Sequence, residues 1–212
     1  MITQTGFIVS EGERDFRILP RLVNKLMGDE RNFVTKPWKH FVTHARKPSR
    51  RPASRGRDIG RKLELAIAEA NRRGFDCVIA VTDFDKPELS KYKALKAARE
   101  KSRSNSSLTP LPTAIGEPKP HIEAWLLDDE KAVRTVLKLQ PTDEIPHPVK
   151  CGSPKAELNR LYDSSGRSDA DKLLYLEELA AEFDKARCRQ GKHTGFNAFC
   201  DDLESEAEKY SR

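Results

Sequence analysis

The stretch Cys77-Val78-Ile79-Ala80-Val81-Thr82-Asp83-Phe84-Asp85-Lys86-Pro87 decides the reading of this chain. Its apolar opening, rich in Val and Ile, has the composition of a short strand buried on both faces of a parallel sheet. The strand ends at two acids one residue apart, so in extended geometry Asp83 and Asp85 project to the same side, just beyond its carboxyl end. That edge is where open α/β sheets place their ligands. Two carboxylates so close repel each other unless a cation lies between them, and hard oxygen donors suit Mg²⁺ or Mn²⁺. Asp and Pro are also ordinary turn residues, so a plain turn is the competing interpretation.

Outward from this strand, Gly6-Phe7-Ile8-Val9-Ser10 predicts a first strand, and Glu11-Gly12-Glu13-Arg14-Asp15 a turn into a helix with Phe16, Leu19, Leu22, Val23 and Leu26 on one face. Pro20 inside that pattern predicts a late start or a kink. Glu11 falls where the first strand ends, and Asp15 one turn further on. An acid near a helix amino terminus is favourable in itself, which is the alternative for Asp15. A second strand is expected within residues 32–43, and a helix from Asp58 to the Gly74 stop. Another helix is expected over Lys91 to Arg103. A fourth strand is expected within Leu108 to Ile115, where Pro110 and Pro112 would confine it to an edge or shorten it. Glu123 lies in the first turn of a short helix holding Trp125, and Lys155 opens a helix after Ser153-Pro154. Two more helices, around residues 170–183 and 196–210, carry no chemical motif and predict packing alone. The fold class is therefore α/β: a parallel sheet of about four strands flanked by helices, with a helical C-terminal part.

The 212 residues allow one domain with a substantial core, and 34% charged against 37% hydrophobic residues is polar but foldable. No run of eighteen or so apolar residues appears, and a signal-peptide pattern is lacking, so a cytoplasmic location without a membrane partner is expected. Cys77, Cys151, Cys188 and Cys200 have no Cys-x-x-Cys spacing and read as reduced thiols. No Gly-x-x-x-x-Gly-Lys loop is present, which argues against an NTPase. His121-x-Glu123 lacks the Pro-Cys-x-x-Cys that a zinc deaminase needs. Trp38 and Trp125 read as core or interface aromatics rather than base-stacking platforms.

Charge is uneven. Lys36 to Lys62 holds ten Lys or Arg against the single acid Asp58, a balance of +9, while the whole chain is only +6. Such a segment suits a phosphate-bearing partner, most simply nucleic acid, with Arg46, Lys47, Arg50, Arg51, Arg55 and Arg57 as the contacts. Its Pro, Ser and Gly content also describes a solvated, mobile loop, and both descriptions can hold together.

Glu11 and Asp83 sit at the ends of strands that a right-handed parallel arrangement can make neighbours, so they could share a cation, with Lys155 adding positive charge nearby. These parts suit phosphodiester hydrolysis. At these residues the chain resembles the Toprim domain: Val9-Ser10-Glu11-Gly12 looks like its glutamate-bearing turn, and Asp83-Phe84-Asp85 its Asp-x-Asp strand end. Ile122-Glu123-Ala124-Trp125-Leu126-Leu127-Asp128 and Ser153-Pro154-Lys155 look like segments of a bacterial Toprim-like family often encoded beside ABC-type ATPases. The nearest described relatives of that family are the overcoming-lysogenization-defect nucleases. The resemblance, spanning residue 7 to about residue 203, implies that Glu11, Asp15 and Asp83 surround one divalent cation and Asp83, Asp85 and Glu123 another. Lys155 would assist catalysis. It further implies a Mg²⁺- or Mn²⁺-dependent nuclease, the effector of a defence system controlled by a partner ATPase, with homo-oligomerisation open. In that frame residues 1–212 form a single Toprim-like domain with a basic insertion at 36–62 and a helical extension at 155–212. The alternative is a nucleic-acid-binding or regulatory subunit that kept the fold and lost catalysis.

Two outcomes test these expectations. Replacing Arg50, Arg51 and Arg55 together with Gln should flatten the slope of log affinity against log salt by at most about three, at about 0.9 per phosphate contact on duplex DNA. An unchanged slope, measured by binding across a salt series, removes the nucleic-acid role of the segment. Lys155→Ala should slow single-turnover cleavage about a hundredfold while leaving substrate affinity nearly unchanged, because it removes charge stabilisation from the transition state. Parental cleavage makes Lys155 an ordinary surface lysine.

Overall fold

The computed structural model of the chain describes residues 4–41, 52–84 and 91–210, with residues 52–57 described as helix backbone only. Among the described residues there are four strands, β1 (Thr5–Ser10), β2 (Asn32–Pro37), β3 (Cys77–Val81) and β4 (Thr113–Gly116). The helices are α1 (Glu13–Met27), α2 (Pro52–Arg73), α3 (Lys91–Arg103), α4 (Glu123–Leu127), α5 (Glu130–Leu137), α6 (Pro154–Ser164), α7 (Leu174–Glu182), α8 (Gly191–Thr194) and α9 (Phe196–Tyr210). They fall into two compact units, one of Met1–Gly12, Arg31–Glu117 and Phe199–Arg212, the other of Glu13–Glu30 and Pro118–Ala198.

The first unit is built on one all-parallel sheet in the order β2-β1-β3-β4. The expected α/β class, with four parallel strands, flanking helices and a helical C-terminal part, is what the structure has. β3 is buried along its whole length, as its unbroken apolar run requires. Phe7, Val9, Val78, Ala80 and Ile115 join Ile59, Leu63, Ala66, Ile67 and Leu95 of α2 and α3 in one core cluster. The alternate residues Ile8, Ile79, Val81 and Ala114 are also buried, so β1, β3 and β4 are covered on both faces, while β2 is half-buried. Phe7 stacks on Phe75 at 5.1 Å between ring centroids. α2 and α3 approach closely at Gly60, where a Cβ would lie 3.0 Å from the carbonyl oxygen of Ala94.

Two elements differ from the sequence reading. α2 begins at Pro52, six residues before Asp58, because proline at a first helical position needs no hydrogen bond for its missing N–H. Its basic first turn is therefore helical backbone and not loop, while Arg46, Lys47, Arg50 and Arg51 lie outside the described residues, as do the side chains of Arg55 and Arg57. α1 starts at Glu13 and runs through Pro20, so it does not start late. Ile18, Leu19, Leu22 and Val23 on either side of the proline are fully buried, and that burial outweighs one lost backbone bond.

In the second unit α1 packs on α7, α7 also meets α5, and α4 contacts α5, α6 and α8. Trp125 is fully buried, donates from Nε1 to the Thr194 carbonyl at 2.8 Å and packs on Phe196 at 5.5 Å. Phe183 meets the same Phe196 ring edge-on at 5.1 Å. Ser153 caps α6 by accepting from Ala156 N at 3.2 Å, with Pro154 in the first turn. Cys77, Cys151, Cys188 and Cys200 form no disulfide. No helix among the described residues is long and apolar enough to cross a membrane.

β4 is an edge strand, confined there as Pro110 and Pro112 predict, and its outer side is closed by ionic side chains rather than by another strand. Asp202 of α9 accepts from Ile115 N at 2.8 Å, and Glu206, one turn on, accepts from Thr113 N at 3.1 Å. Arg99 of α3 donates to the Thr113 carbonyl at 2.8 Å and to Asp202 at 2.7 Å. Arg103 and Lys209 also pair with Glu206. Arg99 is thus buried as the counter-charge of this cover. The acids of α9, for which the sequence offered only packing, satisfy an edge that would otherwise carry open backbone donors.

Burial acts to raise the Glu206 pKa, but Thr113 N–H, Lys209, Arg99 and Arg103 outweigh it and hold the carboxyl below its ordinary 4.5. A carboxyl with a lowered folded pKa contributes stability that is full above the unfolded value and lost as pH falls through the folded one. Glu206→Gln should therefore cost about 2 kcal/mol near neutral pH, less than a wholly unpaired buried charge because Asp202 still faces Arg99. Denaturant titrations of parent and variant should show that difference shrinking as pH drops below about 4.5, and a pH-independent difference would contradict the assignment.

Candidate functional site at the carboxyl edge of the sheet

β1 and β3 lie side by side in parallel, with Gly6 opposite Cys77 and Val9 opposite Ala80. Continuing that register two residues past the pairing sets Glu11 against Thr82. Thr82 Oγ1 donates to Glu11 Oε1 at 2.8 Å. Asp83 is the next residue, so the two acids singled out in the sequence stand at adjoining strand ends. Trp38, just after β2, anchors this edge: its Nε1 donates to the carbonyl of Val81 at 2.8 Å.

Lys91, the first residue of α3, completes the cluster. Its Nζ donates to the Asp83 carbonyl at 3.2 Å and lies 3.7 Å from Glu11 Oε1. Glu117, immediately after β4, accepts from Tyr92 N at 3.3 Å and so binds the amino end of the same helix. Three of the four strands are thus followed by an acid, Glu11, Asp83 or Glu117. The Glu11 side chain is 41% exposed, which leaves its carboxylate open to a ligand from solvent. The backbone beside it is open too, since a Cβ at Gly12 would meet nothing within 4 Å.

The other residues implied by the resemblance belong to the second unit. Asp15 is a buried acid in the first turn of α1. Glu123 is only 3% exposed along its side chain, and its carboxylate sits 2.5 Å from Arg14 Nε. The same Arg14 guanidinium donates to Asn159 Oδ1 at 3.0 Å and Tyr175 Oη at 3.1 Å. Burial pushes the Tyr175 phenol up, against the opposing pull of Arg14. Glu123 is therefore committed to a buried ion pair in this structure, a role that sequence spacing could not show. Lys155 is exposed in the first turn of α6, the helix that packs on α4. Asp85 lies outside the described residues.

Among the described residues no three His, Cys, Asp or Glu side chains are grouped to hold a metal ion. The described part of the edge cluster instead offers two carboxylates of hard oxygen character, the donor type that Mg²⁺ and Mn²⁺ take, beside one resident ammonium. Thr82, Lys91 and Glu117 were not legible as site residues. Only the strand register and the start of α3 bring them to the edge, and neither is written in local spacing. No protein family matches the chain, nor does any curated protein or solved structure.

Proposed function

We propose that the chain is a divalent-metal-dependent nuclease of Toprim type that hydrolyses phosphodiester bonds, with Glu11 and Asp83 as the indispensable metal-holding acids. The observation that supports this reading is the hydrogen bond from Thr82 to Glu11, which ties the acid after β1 to the strand that delivers Asp83. Glu11 is oriented by that bond and exposed, the two conditions a ligand to an incoming cation has to meet. When bound, Mg²⁺ or Mn²⁺ supplies positive charge against the phosphate oxygens and activates water. The protein's own part is to hold two carboxylates in place on rigid strand ends and to keep a lysine ammonium beside them.

The basic stretch Lys36 to Lys62 supports a nucleic acid as the substrate, held through its backbone phosphates. The sequence resemblance supports a cytoplasmic effector of bacterial defence under the control of a partner ABC-type ATPase. Asp15, Glu123 and Lys155 enter through that resemblance, and the proposal rests on Glu11 and Asp83 alone. The pairing of Lys91 with Glu11 favours one second reading, a nucleic-acid-binding subunit in which the ammonium has replaced the cation for good.

Purified chain, alone and with any adjacently encoded ATPase, should cleave plasmid, single-stranded DNA or RNA in Mg²⁺ or Mn²⁺ and lose that activity in a chelator. Asp83→Asn should lower cleavage at least about a hundredfold without changing the thermal midpoint by more than a few degrees. Full activity in Asp83→Asn would overturn the assignment. Nucleic-acid binding without cleavage under every condition would favour the binding subunit.

A further inference from the structure

Lys91 is at odds with its own helix. A cation in the first turn of α3 opposes the helix dipole, and the acid that meets this turn, Glu117, reaches Tyr92 N from outside the helix. Its side chain is nevertheless only 14% exposed, so the stem is packed away and the ammonium reaches the strand ends. There, at the carboxyl edge of β1 and β3, it lies 3.7 Å from Glu11 Oε1 and 3.2 Å from the Asp83 carbonyl. Local propensity therefore does not account for this lysine, whereas the strand-end oxygens do.

We infer that Lys91 is a built-in counter-cation that holds the metal-free site and competes with the divalent ion for it. This rests on the metal reading of Glu11 and Asp83. With Lys91 in place the Glu11 carboxylate already has a counter-charge, so it needs no ion in order to fold. A divalent cation ligated by Glu11 would share that carboxylate with a unit positive charge 3.7 Å from Oε1, and like charges so placed repel. Lys91 must then leave Glu11, and the metal-free geometry sets a threshold of cation concentration for activity. The residue acts on the site through Glu11 and is a positioning residue rather than a catalytic one.

The test is a Mn²⁺ titration followed by electron paramagnetic resonance, which reads free and bound ion without any substrate. Lys91→Met, which keeps the stem and removes the charge, should bind Mn²⁺ about tenfold more tightly than the parent. Lys91→Arg, which keeps the charge, should bind near the parental value. Adding Asp83→Asn to Lys91→Met should abolish the gain. Unchanged or weaker binding by Lys91→Met, with Asp83-dependent binding intact in the parent, overturns the inference and leaves the metal reading standing. If neither the parent nor Lys91→Met binds Mn²⁺ in an Asp83-dependent way, the metal reading fails and the inference with it. Lys91→Gln reads the same quantity should the methionine variant not fold, since a merely structural lysine would give no tighter binding in either.

Discussion

The parallel pairing of β1 with β3 is the constraint on which the candidate site depends. Four consecutive residue pairs, from Gly6 with Cys77 to Val9 with Ala80, fix the register, and a slip of one residue would turn every side chain to the opposite face. Within that register Glu11 and Thr82 emerge on the same side, close enough to bond. The apolar core enforces the pairing. Phe7, Val9, Val78 and Ala80 share the face covered by α2 and α3, so a slipped register would have to repack that core cluster. Chemistry at the edge is thus a consequence of packing in the middle of the sheet.

A sheet of four strands has two edges, and the β4 edge is the one that the chain's own charges close. Asp202 and Glu206, one turn apart on α9, match the two-residue spacing of the outward N–H groups of Thr113 and Ile115. Arg99 supplies both the donor for the intervening carbonyl and the counter-charge for the acids. Buried charges of this kind are costly to desolvate and worth little net energy when paired, but they are severe on any alternative pairing of that strand. The arrangement keeps the edge from accepting a foreign strand and holds β4 in line with β3. Glu117, directly after β4, can then reach the first turn of α3 and fix where Lys91 begins.

How much of this was legible follows from the range of the interactions. The unbroken apolar run of β3, the prolines before β4 and the helical spacing in α1, α3 and α9 are local signals, and each produced the element it foretold. Pro20 misled because the burial of Ile18, Leu19, Leu22 and Val23 is a tertiary effect that a local rule cannot weigh. The helix expected from Asp58 starts at Pro52, because the apolar face that marks a helix in sequence begins only at Ile59. The place of Glu11 and Asp83 at the strand ends was legible because each follows a local apolar run, and that edge is where parallel sheets put their ligands. Thr82, Lys91 and Glu117 were not, because their part depends on which strands pair and in what register. Glu123 shows the converse. The resemblance implied a metal ligand, and the structure holds the carboxylate against Arg14.

The central claim is that the adjoining ends of β1 and β3 take a divalent cation. Anomalous scattering from crystals of the full chain grown with Mn²⁺, recorded at the manganese edge, tests it most directly. The account predicts a peak within ligand distance of the Glu11 and Asp83 carboxylates, about 2.0–2.6 Å, with the Lys91 ammonium drawn away from Glu11. A peak elsewhere on the chain, or no peak with Lys91 still against Glu11 at saturating Mn²⁺, would contradict it.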